Sequence, residues 1–176
     1  MVQTAYNYQN GEGMPLDLNK AFYWMKRSVD VIPDCDTSYC LPNSARMNLG
    51  LYYRDGIGCN ADGEKAAHYL EIAAYSEDEY NWDYFWTIRC KLDLGKLYFD
   101  GNLVQKDLDK AEKYFDELES DDCSTALFYL GQIYEEKYND PEKALKYYQL
   151  AAAGYFDEDE EYESELCKKR IAALSK

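Results

Sequence analysis

Ala45, Leu49 and Tyr53 are spaced four residues apart and form one apolar stripe at helical spacing. Gly56 and Gly58 interrupt it. A second run follows Asp62, with Ala66, Tyr69, Ala73 and Ala74. This pattern predicts two helices joined by a glycine turn. It returns 45 residues later. Leu49-Gly50 falls on Leu94-Gly95, Tyr53 on Tyr98, Gly56 on Gly101, Lys65-Ala66 on Lys110-Ala111 and Tyr69 on Tyr114. A further copy from Ala126 keeps Leu130-Gly131, Tyr134, Lys143-Ala144 and Tyr147-Tyr148, with an internal loop three residues shorter. An incomplete copy opens the chain, where Gly11, Gly13 and Lys20-Ala21 match Gly56, Gly58 and Lys65-Ala66. The chain is therefore a helical-repeat array.

The polar positions place the helix ends. Asp17, Asp62, Asp107 and either Asn139 or Asp140 stand where each second helix needs an N-cap, and Pro141 suits the first turn of the fourth. Gly50, Gly95 and Gly131 sit inside first helices, where glycine costs about 1 kcal/mol relative to alanine. Close approach of the partner helix is the expected reason. The Ala after each Lys should pack small, and the residues four and five after that Lys should fill the core.

These motifs resemble the Sel-1-like repeat, a relative of the tetratricopeptide repeat, with the pattern A-x3-LG-x2-Y-x2-G-x-G followed by D-x2-KA-x2-WY-x-KAA-x2-G. The second copy keeps Ala45, Leu49, Gly50, Tyr53, Gly56, Gly58, Asp62, Lys65, Ala66, Tyr69, Ala73 and Ala74. The resemblance implies an all-α fold. It is an α/α solenoid of about four antiparallel helix pairs in a right-handed superhelix, closed by a C-terminal capping helix. One domain is expected over 1–176, with repeats at about 1–30 (partial), 44–75, 88–120 and 124–154 and the cap at about 160–175, where Leu166, Ile171 and Leu174 have roughly helical spacing. The first copy lacks most of its first helix. The linkers near 30–44 and 76–88 are longer than the family's.

Composition narrows the function. Lys plus Arg number 19 against 34 Asp plus Glu, a net charge of −15. Such a chain is a poor direct binder of nucleic acid, whose phosphates need cations, and of anionic membranes. No apolar run is long enough to span a bilayer, and MVQTAYNYQNGEG has no apolar leader, so a cytoplasmic protein is expected. The sequence has no nucleophile elbow, P-loop or metalloprotease motif. Gly56-Ile57-Gly58 joins helices and follows no strand, so it is no dinucleotide fingerprint. A non-catalytic protein without cofactor or metal is expected. Cys35 and Cys40 lack a second pair of matching ligands, the single His68 falls on a second helix, and Cys90 holds the small-residue slot of Ala45 and Ala126.

The family register puts ten residues on the groove side of the first helices: Met47, Leu51 and Arg54; Arg89, Lys96 and Phe99; Thr125, Phe128, Gln132 and Glu135. They are either contacts for a peptide or helix, or ordinary face residues packed on neighbours. Tyr80, Trp82, Tyr84, Phe85 and Trp86 are five aromatics in seven residues, an interface patch or an insertion folded back on the array. The acidic run Asp157 to Glu165 either attracts a basic partner or is a solvated helix start. The resulting expectation is a scaffold or adaptor that takes a protein or peptide, basic in character, along its concave face. The alternative is an acidic inhibitor that mimics nucleic acid at a basic site on another protein. The sequence does not fix the oligomeric state.

Overall fold

The computed structural model describes residues 1–31, 42–75, 84–119, 123–154 and 161–175. Among them the chain is all-α. Its helices are α1 (Val2–Asn10), α2 (Leu18–Asp30), α3 (Pro42–Asp55), α4 (Gly63–Ala74), α5 (Tyr84–Asp100), α6 (Leu108–Asp116), α7 (Ser124–Glu136), α8 (Pro141–Ala153) and α9 (Glu161–Leu174). They fall into two compact units, residues 1–90 with 102–104 and residues 91–101 with 105–176, so the division lies inside α5. In the first unit α1 packs on α2, α2 on α3 and α3 on α4. In the second, α6 packs on α7, α7 on α8, and α9 on both α8 and α7.

The helix starts are made by one device four times. The carboxylates of Asp17, Asp62, Asp107 and Asp140 accept from the backbone N–H of Lys20, Lys65, Lys110 and Lys143 at 2.9–3.0 Å. Asp140 is the cap of the fourth. Asn139 instead takes the left-handed backbone, at φ 51°, that Gly56 and Gly101 adopt in the preceding copies. An asparagine tolerates that conformation better than most residues.

Packing explains the repeated letters. Ala45, Cys90 and Ala126, then Leu49, Leu94 and Leu130, are fully buried on the first helices. Ala21, Ala66, Ala111 and Ala144 are fully buried on the second. Each fully buried leucine contributes about 2 kcal/mol of transfer free energy. Five residues after each repeat lysine stands a fully buried large side chain: Met25, Leu70, Phe115 or Tyr148. Leu70, Phe115 and Tyr148 lie over Gly50, Gly95 and Gly131, leaving no room for a Cβ. The lysine covers the first-helix tyrosine, with Nζ to ring-centre distances of 5.4 Å for Lys20 on Tyr8, 5.3 Å for Lys65 on Tyr53, 4.5 Å for Lys110 on Tyr98 and 4.0 Å for Lys143 on Tyr134.

The last helix follows the same register. Cys167, Ile171 and Ala172 repeat the spacing of Ala126, Leu130 and Gly131. Cys167 is fully buried, and its thiol donates to the Tyr148 carbonyl at 3.0 Å. Burial pushes that thiol up to about 11. Ile171 is only half-buried and Ala172 is exposed, because α8 covers Leu130 and Gly131 whereas no second helix among the described residues covers α9.

Candidate protein-interaction surface

In the first unit the expected contact residues divide. Met47 is buried in the core. Leu51 and Arg54 are half-buried, and Arg54 donates twice to Asp55, from Nε to Oδ1 at 2.7 Å and from Nη2 to Oδ2 at 3.0 Å. Arg89 is half-buried near the start of α5. Of the aromatic run, Tyr80 and Trp82 lie outside the described residues and Tyr84 opens α5. Phe85 is 64% exposed, with its ring edge-on to half-buried Trp86 at 5.3 Å. Tyr52 donates to Gln9 at 2.6 Å, and its hydroxyl is pushed up to about 12 by burial and then by Tyr6.

In the second unit Thr125 and Phe128 are buried, so with Met47 they belong to the core of the isolated chain and not to its surface. The first-helix side chains at those register positions pack against neighbours before any partner is present. Lys96, Phe99, Gln132 and Glu135 are half-buried and remain accessible. At their centre lies half-buried Tyr129, a residue that no sequence pattern singled out. Its ring meets Phe99 edge-on at 5.1 Å, stacks on Phe115 at 5.1 Å and meets Phe128 edge-on at 5.3 Å. Lys96 Nζ lies 5.7 Å from its ring centre. The second and third repeats carry Asn48 and Asp93 at this position, so no repeated aromatic pattern marked it.

The α9 helix reaches this surface from its two ends. Near its start, Glu163 Oε1 accepts from the Tyr129 hydroxyl at 3.4 Å and lies 3.7 Å from Lys96 Nζ. Further along, Arg170 Nε lies 3.6 Å from Glu135 Oε2, which also accepts from the Tyr148 hydroxyl at 2.5 Å. Burial, and then Glu135, push the Tyr148 hydroxyl well above its ordinary range. Lys106 sits 5.0 Å over the Phe99 ring and pairs with Glu136 at 2.7 Å. Partial burial raises the Asp100 carboxyl, against the pull of Lys96 and Lys106. The Gln132 side-chain amide has no hydrogen-bond partner among the described residues. Glu163 belongs to the acidic run but is not a solvated residue of it, with a side chain 13% exposed. Glu165 fits the solvated reading, exposed and paired to Lys168 at 3.0 Å.

This arrangement brings together aromatic, cationic, carboxylate and amide groups. Among the described residues no three His, Cys, Asp or Glu side chains could hold a metal together, and no helix is long and apolar enough to cross a membrane. His68 is exposed on α4, Cys90 is buried, and Cys35 and Cys40 lie outside the described residues.

Comparison with known proteins yields one family model. The Sel1 repeat matches residues 1–30, 43–78, 89–117 and 124–155. No curated protein matches the sequence. Among solved structures, one similar chain is a protective antigen present in uropathogenic Escherichia coli strains that displays an SLR fold. It is 20% identical with a TM-score of 0.65, and the match covers 99% of this chain and 38% of that one. Another is a Sel1 repeat protein from Oxalobacter formigenes, 18% identical with a TM-score of 0.61, covering 98% of this chain and 69% of that one. The protein thus spans well under half of the first of these relatives. At such identities the likeness shows the fold, an α/α solenoid of helical repeats.

Proposed function

The chain belongs to the Sel1 repeat family, and on that premise we propose that it is a non-catalytic interaction module that binds a partner protein or peptide on the first-helix faces lining the groove of such repeats. The observation that carries this is the accessible set Lys96, Phe99, Gln132 and Glu135 around Tyr129. Phe99 offers an aromatic anchor, Lys96 and Glu135 offer charge, and Gln132 offers an amide without a partner among the described residues. The fold needs none of these four in its core. The net charge of −15 steers a partner that is basic overall and raises its association rate at low salt.

The test is selection of a displayed random peptide library on the immobilised full chain, followed by fluorescence anisotropy with the enriched peptides. Phe99→Ala should weaken them by about tenfold, the loss of one aromatic anchor. Arg89→Glu should weaken them where the bound segment extends to α5's start. Equal affinity for the wild type and both variants would remove these faces from the function.

A further inference from the structure

The first unit carries a different chemistry at the matching first-helix positions. In the repeat register Tyr6 stands where Leu51, Lys96 and Gln132 stand, and Gln9 where Arg54, Phe99 and Glu135 stand. Both are half-buried. Tyr52, on α3, donates to Gln9 Oε1 at 2.6 Å. A side-chain amide is planar, so a bond that fixes its oxygen also fixes its NH2. That NH2 has no acceptor among the described residues. Asn48 is half-buried one turn before Tyr52 and is fixed from the other end, its Nδ2 donating to the Ser44 carbonyl at 2.7 Å. Its Oδ1 has no donor among the described residues. The Tyr6 hydroxyl also has no hydrogen-bond partner there. Burial raises it, and it acts in turn on the Tyr52 hydroxyl. Three polar groups are thus held in place and left unused: an NH2 that donates, a carbonyl that accepts and a hydroxyl that does both. None of them is charged.

We infer that Tyr6, Gln9 and Asn48 form a subsite for the main chain of an extended peptide. Gln9 donates to a peptide carbonyl, Asn48 accepts from a peptide N–H, and the Tyr6 hydroxyl takes whichever of the two lies beside it. An extended backbone offers N–H and C=O groups in alternation, at about 3.3 Å per residue. One segment therefore supplies both kinds of partner. A carboxylate only accepts and an ammonium only donates, so a charged side chain would leave one of the two amides unmatched. The half-buried Leu51, three residues after Asn48, gives the segment an apolar neighbour for a side chain. Both amides are already oriented by internal bonds, so binding orders few further rotamers. Recognition on this unit is then of backbone and tolerant of sequence, whereas Lys96, Phe99 and Glu135 select side chains. The inference rests on the interaction reading above and names the ligand chemistry of the first unit's face.

The test takes peptides enriched from a displayed random library on the full wild-type chain and remakes them with one backbone N-methyl group at each position in turn. Gln9→Glu keeps an oxygen for the Tyr52 hydroxyl and removes the NH2. It should weaken the parent peptide about five- to tenfold, through one lost hydrogen bond and a carboxylate set against a carbonyl. Asn48→Ala should weaken it about three- to tenfold. On the wild type, N-methylation at one position should cost about tenfold, and on Asn48→Ala the same methyl should cost nothing further. That non-additivity pairs Oδ1 with a main-chain N–H. Should Gln9→Glu melt earlier than wild type, the Asn48→Ala cycle decides alone. Peptides that weaken on Phe99→Ala yet bind Gln9→Glu and Asn48→Ala as tightly as wild type would overturn the subsite and leave the interaction reading standing. So would N-methyl costs that are equal on wild type and Asn48→Ala at every position. No enrichment on the wild type would overturn both.

Discussion

Gly131→Ala tests the packing argument most directly. The substitution favours an isolated helix by about 1 kcal/mol. Here the new Cβ would stand 2.6, 2.8 and 3.0 Å from Cε1, Cδ1 and Cζ of Tyr148. Ordinary carbon contacts are about 3.5–4.0 Å, so the ring must retreat by about 1 Å. It has little freedom to do so. Tyr148 is fully buried, its ring centre lies 5.8 Å from that of Phe128, its hydroxyl is held by Glu135 at 2.5 Å, and its carbonyl receives the Cys167 thiol. Overpacking of a filled site costs about 1–3 kcal/mol, and a ring pinned at both ends belongs at the upper limit. The net loss is then about 2 kcal/mol. With a urea dependence of about 2 kcal/mol/M, the midpoint followed by far-ultraviolet circular dichroism should fall by about 1 M. Gly50→Ala is the internal comparison, because its Cβ would meet Leu70 Cγ at 2.9 Å and the Ala66 carbonyl at 3.2 Å. A flexible leucine yields more easily, and the loss should stay below about 1 kcal/mol. A Gly131→Ala midpoint at or above the wild-type value would refute the idea that close approach retains this glycine.

Asp107→Ala removes the acceptor for the Lys110 amide and should cost about 1 kcal/mol in the same urea titration. The Asp62 carboxyl is held below its ordinary value by the Lys65 side chain and backbone amide, so its contribution is complete above pH 3.8 and disappears as pH falls below it; Asp62→Ala should flatten the acid limb of the melting profile. The Cys167 thiol is raised from 9.0 to about 11, so the stability tied to its neutral form is complete below pH 9 and lost toward pH 11; Cys167→Ala should make melting less sensitive to pH across that window. Leu130→Ala should cost about 3 kcal/mol and Ile171→Ala about 1 kcal/mol, since only Leu130 is fully enclosed; equal losses would contradict the open face of α9.

The repeat core was legible because one physical demand was written several times. Ala45, Cys90 and Ala126 differ in chemistry but share smallness and complete burial, and the shared register exposed them. The mid-helix glycines were legible for a similar reason: a costly residue at one register position in three copies pointed to close packing. The lysine before each core alanine was visible only as a letter. Its position over the first-helix tyrosine joins residues twelve apart in the second and third repeats and nine apart in the fourth, and charge and aromatic patterns do not announce that pairing. The burial of Met47, Thr125 and Phe128 was not legible, because register gives an angle on a helix but not how far neighbouring helices wrap around it. Glu163 was hidden among similar acids, and only the placement of α9 separates it from Glu165.

The same comparison separates what the fold requires from what it leaves free. At the small slot, the leucine slot and the glycine slot, the second, third and fourth repeats carry nearly the same residues, because each must pass under a second helix. At three other positions of the first helix they diverge: Asn48, Asp93 and Tyr129; Leu51, Lys96 and Gln132; Arg54, Phe99 and Glu135. A position whose chemistry runs from leucine to lysine to glutamine within one chain is not set by helix-pair packing. Of these nine only Asp93 is buried; the other eight are half-buried. Half-burial holds a side chain in place while leaving part of it open to contact, which is what selective recognition needs. Recognition therefore belongs where the repeats disagree, and the ring of Lys96, Phe99, Tyr129, Gln132 and Glu135 is the part of the second unit where several disagreements meet.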